Sequence, residues 1–318
     1  MQKSHKVIWH EGLPVMPHHL QQMDHFHESL LQHKLNMLQP YNWGIASLEI
    51  DEDALQNGQF KIERCEALLP DGTLLKIPGL DPAPAFRQID DVFDQSSAPI
   101  DAYLAVPTSR NDAVNFKLDG SNGAFPARFI GSHVQVNDET TANDTRELLV
   151  AQKNIQILFS NESLDGFASL KIAEVMRQQS GTYVCNRDWI PACLQTGAST
   201  GFIRHLSILL NKLIEKNRAL SAKLRERESG LVEFSGDDVR TFWLLHTVNH
   251  AIPPLSHVVK SGTVHPEYVY FLLIQLAGAL CTFSTAVHPT EVPSYQHGNL
   301  STTFPTLIEI IERLLVVV

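Results

Sequence analysis

Val7–Ile8–Trp9–His10–Glu11–Gly12, running on to Pro17–His18–His19–Leu20–Gln21–Gln22, is the stretch on which the reading of this chain turns. It predicts a short β-type segment, a turn at Glu11–Gly12 and a helix opening at Pro17. Proline suits a first helical position because its missing N–H is one of the donors that any helix start leaves unpaired. Leu20, Met23, His27, Leu30, Leu31 and Leu38 then recur at helical spacing, and Pro40 stops the run. A tryptophan, a glycine turn and a proline-started helix so close to the N-terminus describe a built segment with a task.

Beyond this segment the chain divides by periodicity. From about residue 44 to 195 the signals are β. Phe60 and Ile62 alternate with Lys61 and Glu63, and Pro70–Asp71–Gly72–Thr73 makes a turn before Leu74 to Ile77. Further runs are Ala102–Val106, Phe129–Val136, Leu148–Phe159, Ala168–Val175 and Tyr183–Trp189. The alternation of Val134/Val136 and Ile155/Ile157/Phe159 fits half-buried strands. Short strands separated by Gly, Pro, Asn and Asp point to a sandwich of two sheets. Pro78–Pro84 with the acidic Asp90–Asp94, and Asn111–Pro126, are long surface excursions.

Near residue 198 the character becomes helical. Ile203, Leu206, Leu210, Leu213, Asn217, Leu220 and Leu224 form a heptad seam with one amide at a core position. A seam of this kind predicts association through the helical half, with Asn217 facing its own copies or polar groups of a neighbouring helix. Ser229–Gly230 breaks that helix. A second starts at Asp237–Asp238, carboxylates that suit a helix N-terminus, and is ended or bent at Pro253–Pro254. Tyr268–Val287 is as apolar as a membrane span, but no Lys/Arg asymmetry flanks it, and it reads as a helix enclosed by others, with Gly278 and Ala279 allowing close approach. A fourth helix carries Leu307 to Leu315. The expected class is α+β: a β-sandwich with a short N-terminal helix over residues 1–197, and a helical bundle over 198–318.

Composition narrows the function. The 318 residues are 43% hydrophobic and 19% charged, which fits an ordered chain long enough for two domains, each with its own core. A net charge of −10 disfavours nucleic acid. Cys65, Cys185, Cys193 and Cys281 show no CxxC spacing; Cys185 and Cys193 could bridge, but free thiols are expected in a large chain whose polar start leads into no apolar leader. That start implies a cytoplasmic location. Of fifteen histidines, His18, His19, His25, His27 and His33 crowd one helix, but their spacing and the lack of a completing Cys or carboxylate cluster argue against a metal site. There is no nucleophile elbow, no P-loop and no dinucleotide fingerprint, and the acid pairs Asp90/Asp91 and Asp237/Asp238 read as a loop charge and a helix start. No enzyme, cofactor or metal is expected.

Two stretches carry a resemblance. Trp9, Glu11 and Gly12, then Pro17, His19, Gln21 and Gln22, resemble the opening of the TssK family, the baseplate subunit of bacterial type VI secretion systems, with Leu20 where an aromatic is often seen. Leu276–Leu280, Thr282–Ser284, Pro293, Tyr295, His297, Leu300, Phe304 and Leu307 resemble its neck region. The resemblance implies a trimer with a shoulder sandwich like that of phage receptor-binding proteins, a helical neck, and a C-terminal head that lies beyond these 318 residues, a truncation being the simplest account. It further implies a structural adaptor whose shoulder docks onto the TssF–TssG wedge and whose head reaches the TssJ–TssL–TssM membrane complex, and the N-terminal motif is expected close to the wedge-binding surface. It acts in the cytoplasm at a baseplate docked on the inner membrane and does not itself enter the bilayer. A phage-type receptor-binding or tail-tip protein would use the same shoulder and neck.

Overall fold

The computed structural model describes residues 5–90, 92–93, 98–118, 126–228, 236–284 and 287–317. Asp91 and Asp94, the middle of the 111–126 excursion, Ser229–Gly230 and Thr285 lie outside the described residues.

The first element is the helix α1 (Pro17–Leu38). It opens at the expected proline and closes before Pro40. Residues 7–10 form no strand; the arm leading into α1 is irregular, turning at Glu11–Gly12 with Gly12 at φ 81°, a conformation that favours glycine.

The strands follow. β1 (Gly44–Ile50) leads to a short helix α2 (Glu52–Gln56), whose N-cap Asp51 accepts the N–H of Ala54, and then to β2 (Gln59–Phe60) and β3 (Ile62–Leu68). Next are β4 (Leu74–Ile77), β5 (Arg87–Gln88), β6 (Ile100–Pro107) and β7 (Phe116–Lys117). β8 (Phe129–Asn137), β9 (Thr145–Lys153), β10 (Gln156–Phe159), β11 (Phe167–Arg177) and β12 (Tyr183–Cys185) complete the set. A three-stranded sheet of order β1-β3-β4 and a four-stranded sheet of order β10-β6-β11-β12 bury apolar faces in a common core. The expected run Leu148–Phe159 is two strands: β9 pairs with β8, β10 with β6, and Asn154–Ile155 makes the change of sheet. The two-sheet expectation lacked both the short β2–β5 pair and the separate sheet of β7, β8 and β9. Most of its residues are exposed, so alternation there does not mark a core face. Its root is fastened by Arg128, which donates to Pro107 O (2.7 Å), Thr73 Oγ1 (2.5 Å) and Asp71 (3.2 Å), and by Lys153, 2.8 Å from the buried Asp81.

The helical half comprises α3 (Thr200–Glu228), α4 (Gly236–Ser261), α5 (Pro266–Cys281) and α6 (Leu300–Val317). α4 continues through Pro253 and Pro254. The two carbonyls that lose their partners belong to Asn249 and His250, both on the exposed face, where water can serve them. α5 stops at Cys281, shorter than the apolar run suggested, and nothing lies within 4 Å of where a Cβ on Gly278 would sit, so that glycine does not mark a close helix crossing. Among the described residues no helix is long and apolar enough to cross a membrane.

The buried apolar residues of sheets and helices form one continuous cluster, not the two separate cores that the length allows. Ile45, Ile190 and Cys193 carry it from the sandwich to Phe202 and Phe304, whose rings stand 4.4 Å apart between α3 and α6. Ser301 seals the join: its hydroxyl accepts the N–H of Ile190 (2.5 Å) and donates to the same residue's carbonyl (3.1 Å).

Candidate interaction surfaces

The N-terminal motif organises itself. His19 Nδ1 accepts the N–H of Met16 at 3.2 Å and so caps the start of α1, and the Trp9 ring lies 6.0 Å from the His19 ring. Glu11, Gln21 and Gln22 are exposed. Trp9 is 50% exposed, with its ring against His19. α1 contains no buried residue at all. Leu20, Leu31, Leu35 and Leu38 stand at 47%, 60%, 40% and 83% exposure along one stripe. Burying a leucine is worth about 1.5–3 kcal/mol, so such a stripe is a candidate surface for contact with another molecule.

The root of α1 is fixed. Asn36 Oδ1 accepts from Gln32 (2.9 Å) and Asn42 (3.1 Å), closing the end of α1 over the linker 39–43. That linker is held from the neck by two histidines. Nε2 of His265, the N-cap of α5, donates to Tyr41 O at 3.0 Å, and Nε2 of His297 donates to Trp43 O at 2.7 Å. The opposite nitrogens accept: His265 Nδ1 from the N–H of Glu267 (3.2 Å), His297 Nδ1 from the Tyr295 hydroxyl (2.7 Å). Both rings are therefore neutral and protonated at Nε2. Burial pushes the imidazole of His297 down to about 4 and also lowers His265; burial raises the Tyr295 hydroxyl.

A second apolar surface lies on the neck. Val239, Phe242 and Trp243 of α4 and Tyr268 and Phe271 of α5 are about half exposed. The same two helices line a cleft of about 290 Å³ with His246, His250, Leu272 and Leu276 among others.

The predicted seam is used differently. Leu206, Leu210, Leu213 and Leu220 are buried within this chain, Ile203 and Leu224 partly so, because α3 packs on its own α4 and α6. Those leucines are not free to line a seam between copies. Asn217 donates to Asn249 of α4, the neighbouring-helix alternative. The sequence signal missed the α4–α5 face, although Val239, Trp243, His246 and His250 recur along α4 at helical spacing.

The remaining candidates are accounted for locally. On α1, His33 contacts Ser29 O at 2.7 Å and His25 lies 3.6 Å from Glu28. Among the described residues no group of three or more His, Cys, Asp or Glu is placed to hold a metal. All four cysteines are free, and burial raises Cys65 and Cys193 to about 12 and Cys185 to about 11, which removes them as nucleophiles at neutral pH. Asp90 accepts the Tyr183 hydroxyl, and Asp237, in the first turn of α4, pairs with Lys223.

Known proteins share this architecture. A family described as bacterial type VI secretion, VasE, ImpJ and EvfL matches residues 19–318. The type VI secretion system baseplate component TssK1 of Pseudomonas aeruginosa is 26% identical over the whole chain, which covers 70% of that protein. A chain from a cryo-electron microscopy structure of the TssK–TssF–TssG baseplate subcomplex superposes with a TM-score of 0.86 at 26% identity, with all of both chains covered. One from a structure of the type VI baseplate complex gives 0.88 at 27% identity, covering 99% of this chain and 70% of the other. With residues 19–318 matched by the family, the chain belongs to the TssK (VasE) family of bacterial type VI secretion proteins.

Proposed function

We propose that this chain is a non-enzymatic adaptor of a type VI secretion baseplate, which docks onto a TssF–TssG wedge through the N-terminal arm and α1. The observation that carries this reading is a 22-residue helix with no buried residue, in a fold that superposes over its whole length on a chain of a TssK–TssF–TssG subcomplex. An exposed leucine stripe beside a motif that stabilises itself is what a docking element needs. It is presented ready-made and loses little conformational entropy on binding.

The protein acts as a trimer, with the α4–α5 aromatic face, and not the α3 seam, joining copies. A cyclic trimer needs a surface that the chain's own fold has left uncovered, and Phe242, Trp243 and Phe271 supply one. Three copies multiply individually weak wedge contacts. About 30% of the length of TssK1 has no counterpart in these 318 residues; a head of that size would reach a TssJ–TssL–TssM membrane complex, and the protein would then act at the cytoplasmic face of a docked baseplate.

Native mass spectrometry of the chain with and without purified TssF–TssG tests this. A species of three 35.6 kDa chains that gains wedge mass supports the reading; a monomer indifferent to the wedge refutes it.

A further inference from the structure

The linker between α1 and β1 is gripped by two stacked histidines from separate parts of the neck. The rings of His265 and His297 are nearly parallel, 12° apart, with centroids 5.3 Å apart. Tyr41 of the linker stacks on His297 at 5.3 Å, and Trp43 meets the same ring edge-on at 4.8 Å. α1 buries no residue of its own and touches the sandwich where Gln32 lies against Gly72, so its direction depends largely on how residues 39–43 are held.

We propose that His265 and His297 are a titratable latch that ties the direction of α1 to the neck: uncharged, the two rings fasten the linker, and a proton on either unfastens it. The chemistry follows from the acceptor nitrogens. A proton on His265 Nδ1 converts it to a donor facing the N–H of Glu267, so the N-cap of α5 is lost and two donors confront each other. A proton on His297 Nδ1 forces the Tyr295 hydroxyl to stop donating and turn. Either charge lies in the stack beside its neighbour, where a second charge is strongly disfavoured, so one proton suffices.

The bonds to Tyr41 O and Trp43 O themselves favour a charged ring, but burial outweighs them at both histidines, so a protonated ring is drawn out toward water and lets its carbonyl go. The groups facing the pair are Glu267 and Tyr270 from α5, Tyr295 from the segment before α6, Tyr41 from the linker and Cys193 from the segment before α3. Tyr270 is engaged with Pro293 O at 2.9 Å, and Glu267 is the one carboxylate among these groups. His265 is the less buried of the two and takes the proton first; His297 is 2% exposed.

Hydrogen exchange of the full chain at pH 7.5 and pH 5.0, corrected for intrinsic rates, tests the latch. Amides of 39–45 are expected to lose protection by about tenfold or more at the lower pH, while β6 and β11 keep theirs. In the His265→Gln/His297→Gln variant, whose amides can donate and accept without titrating, the pH effect should vanish. Linker protection that is unchanged with pH, that falls equally in the variant, or that falls together with β6 and β11 would overturn the proposal. Should the variant not fold, histidine resonances of the wild-type chain decide. A midpoint shared by one of the two rings and the linker amides supports the latch; midpoints that do not coincide sink it.

Discussion

Gly197 and Gly262 meet backbone to backbone: the N–H of Gly197 donates to Gly262 O at 2.7 Å, and a Cβ on Gly197 would come within 2.9 Å of that oxygen. This contact joins the turn that leads into α3 to the end of α4, and Gly262 holds φ at 65°. Gly197→Ala should lower unfolding free energy by about 1–3 kcal/mol, the range for overpacking. Urea denaturation measures it, and an unchanged midpoint would show that the two segments can part without cost.

The docking role of α1 separates binding from stability. Leu31→Glu with Leu35→Glu removes exposed apolar surface and should leave the melting temperature within about 2 °C, since surface changes are worth under about 0.5 kcal/mol. Wedge affinity should drop by more than about tenfold, because two apolar contacts exceed 1.4 kcal/mol. Trp9→Ala should behave alike. Titration calorimetry against TssF–TssG reads both.

Copies should separate when the neck aromatics are lost. Phe242→Ser with Trp243→Ser is expected to give monomers by light scattering with an unaltered circular dichroism spectrum. Leu213→Ala, at a fully buried position, should instead destabilise the fold by about 2–5 kcal/mol. If Leu213→Ala dissociated folded copies, the seam would lie between chains after all.

Stability should fall on acidification through the histidine range. His297 binds its proton far less readily in the folded chain, at about 4, than the ordinary value near 6.5, and His265 is shifted the same way. Between those limits the unfolded chain holds more protons, so stability is fully present above about pH 6.5, declines as pH falls and levels off below about 4. The loss due to His297 is at most about 3 kcal/mol. Urea midpoints at pH 7, 5.5 and 4.5 check this, with His297→Gln expected to flatten the curve.

Asn217→Leu should cost about 0.5–1.5 kcal/mol, the worth of one hydrogen bond, without changing the number of copies. Asn249 is exposed and can turn to water. A broadened distribution of oligomers would restore a register role for Asn217.

Much of the fold was legible because its signals are local. Pro17 and Pro40 bound α1, and the 70–73 turn sets β4 at Leu74–Ile77. What was not legible depends on partners distant in sequence. The heptad spacing of Leu206 to Leu220 is the same whether the facing helix belongs to this chain or another, so periodicity could not assign it. Trp9 is half exposed in this chain, and its neighbours in sequence do not say which surface it meets. Of the two latch histidines only His297 was singled out, through the neck resemblance. Nothing in sequence relates His265 to Tyr41, which stands 224 positions away.

The unbroken core that runs from Ile45 through Phe202 to Phe304 has a mechanical meaning. Two bodies joined by a bare linker would swivel under load and absorb it as rotation. A shared interior resists shear instead, because any tilt between sandwich and bundle must open a void among close-packed side chains. A push delivered to the shoulder therefore arrives at the far end of α6 as displacement of the whole, as in a solid strut, and severing the chain between strands and helices would leave two halves that each expose an apolar wound.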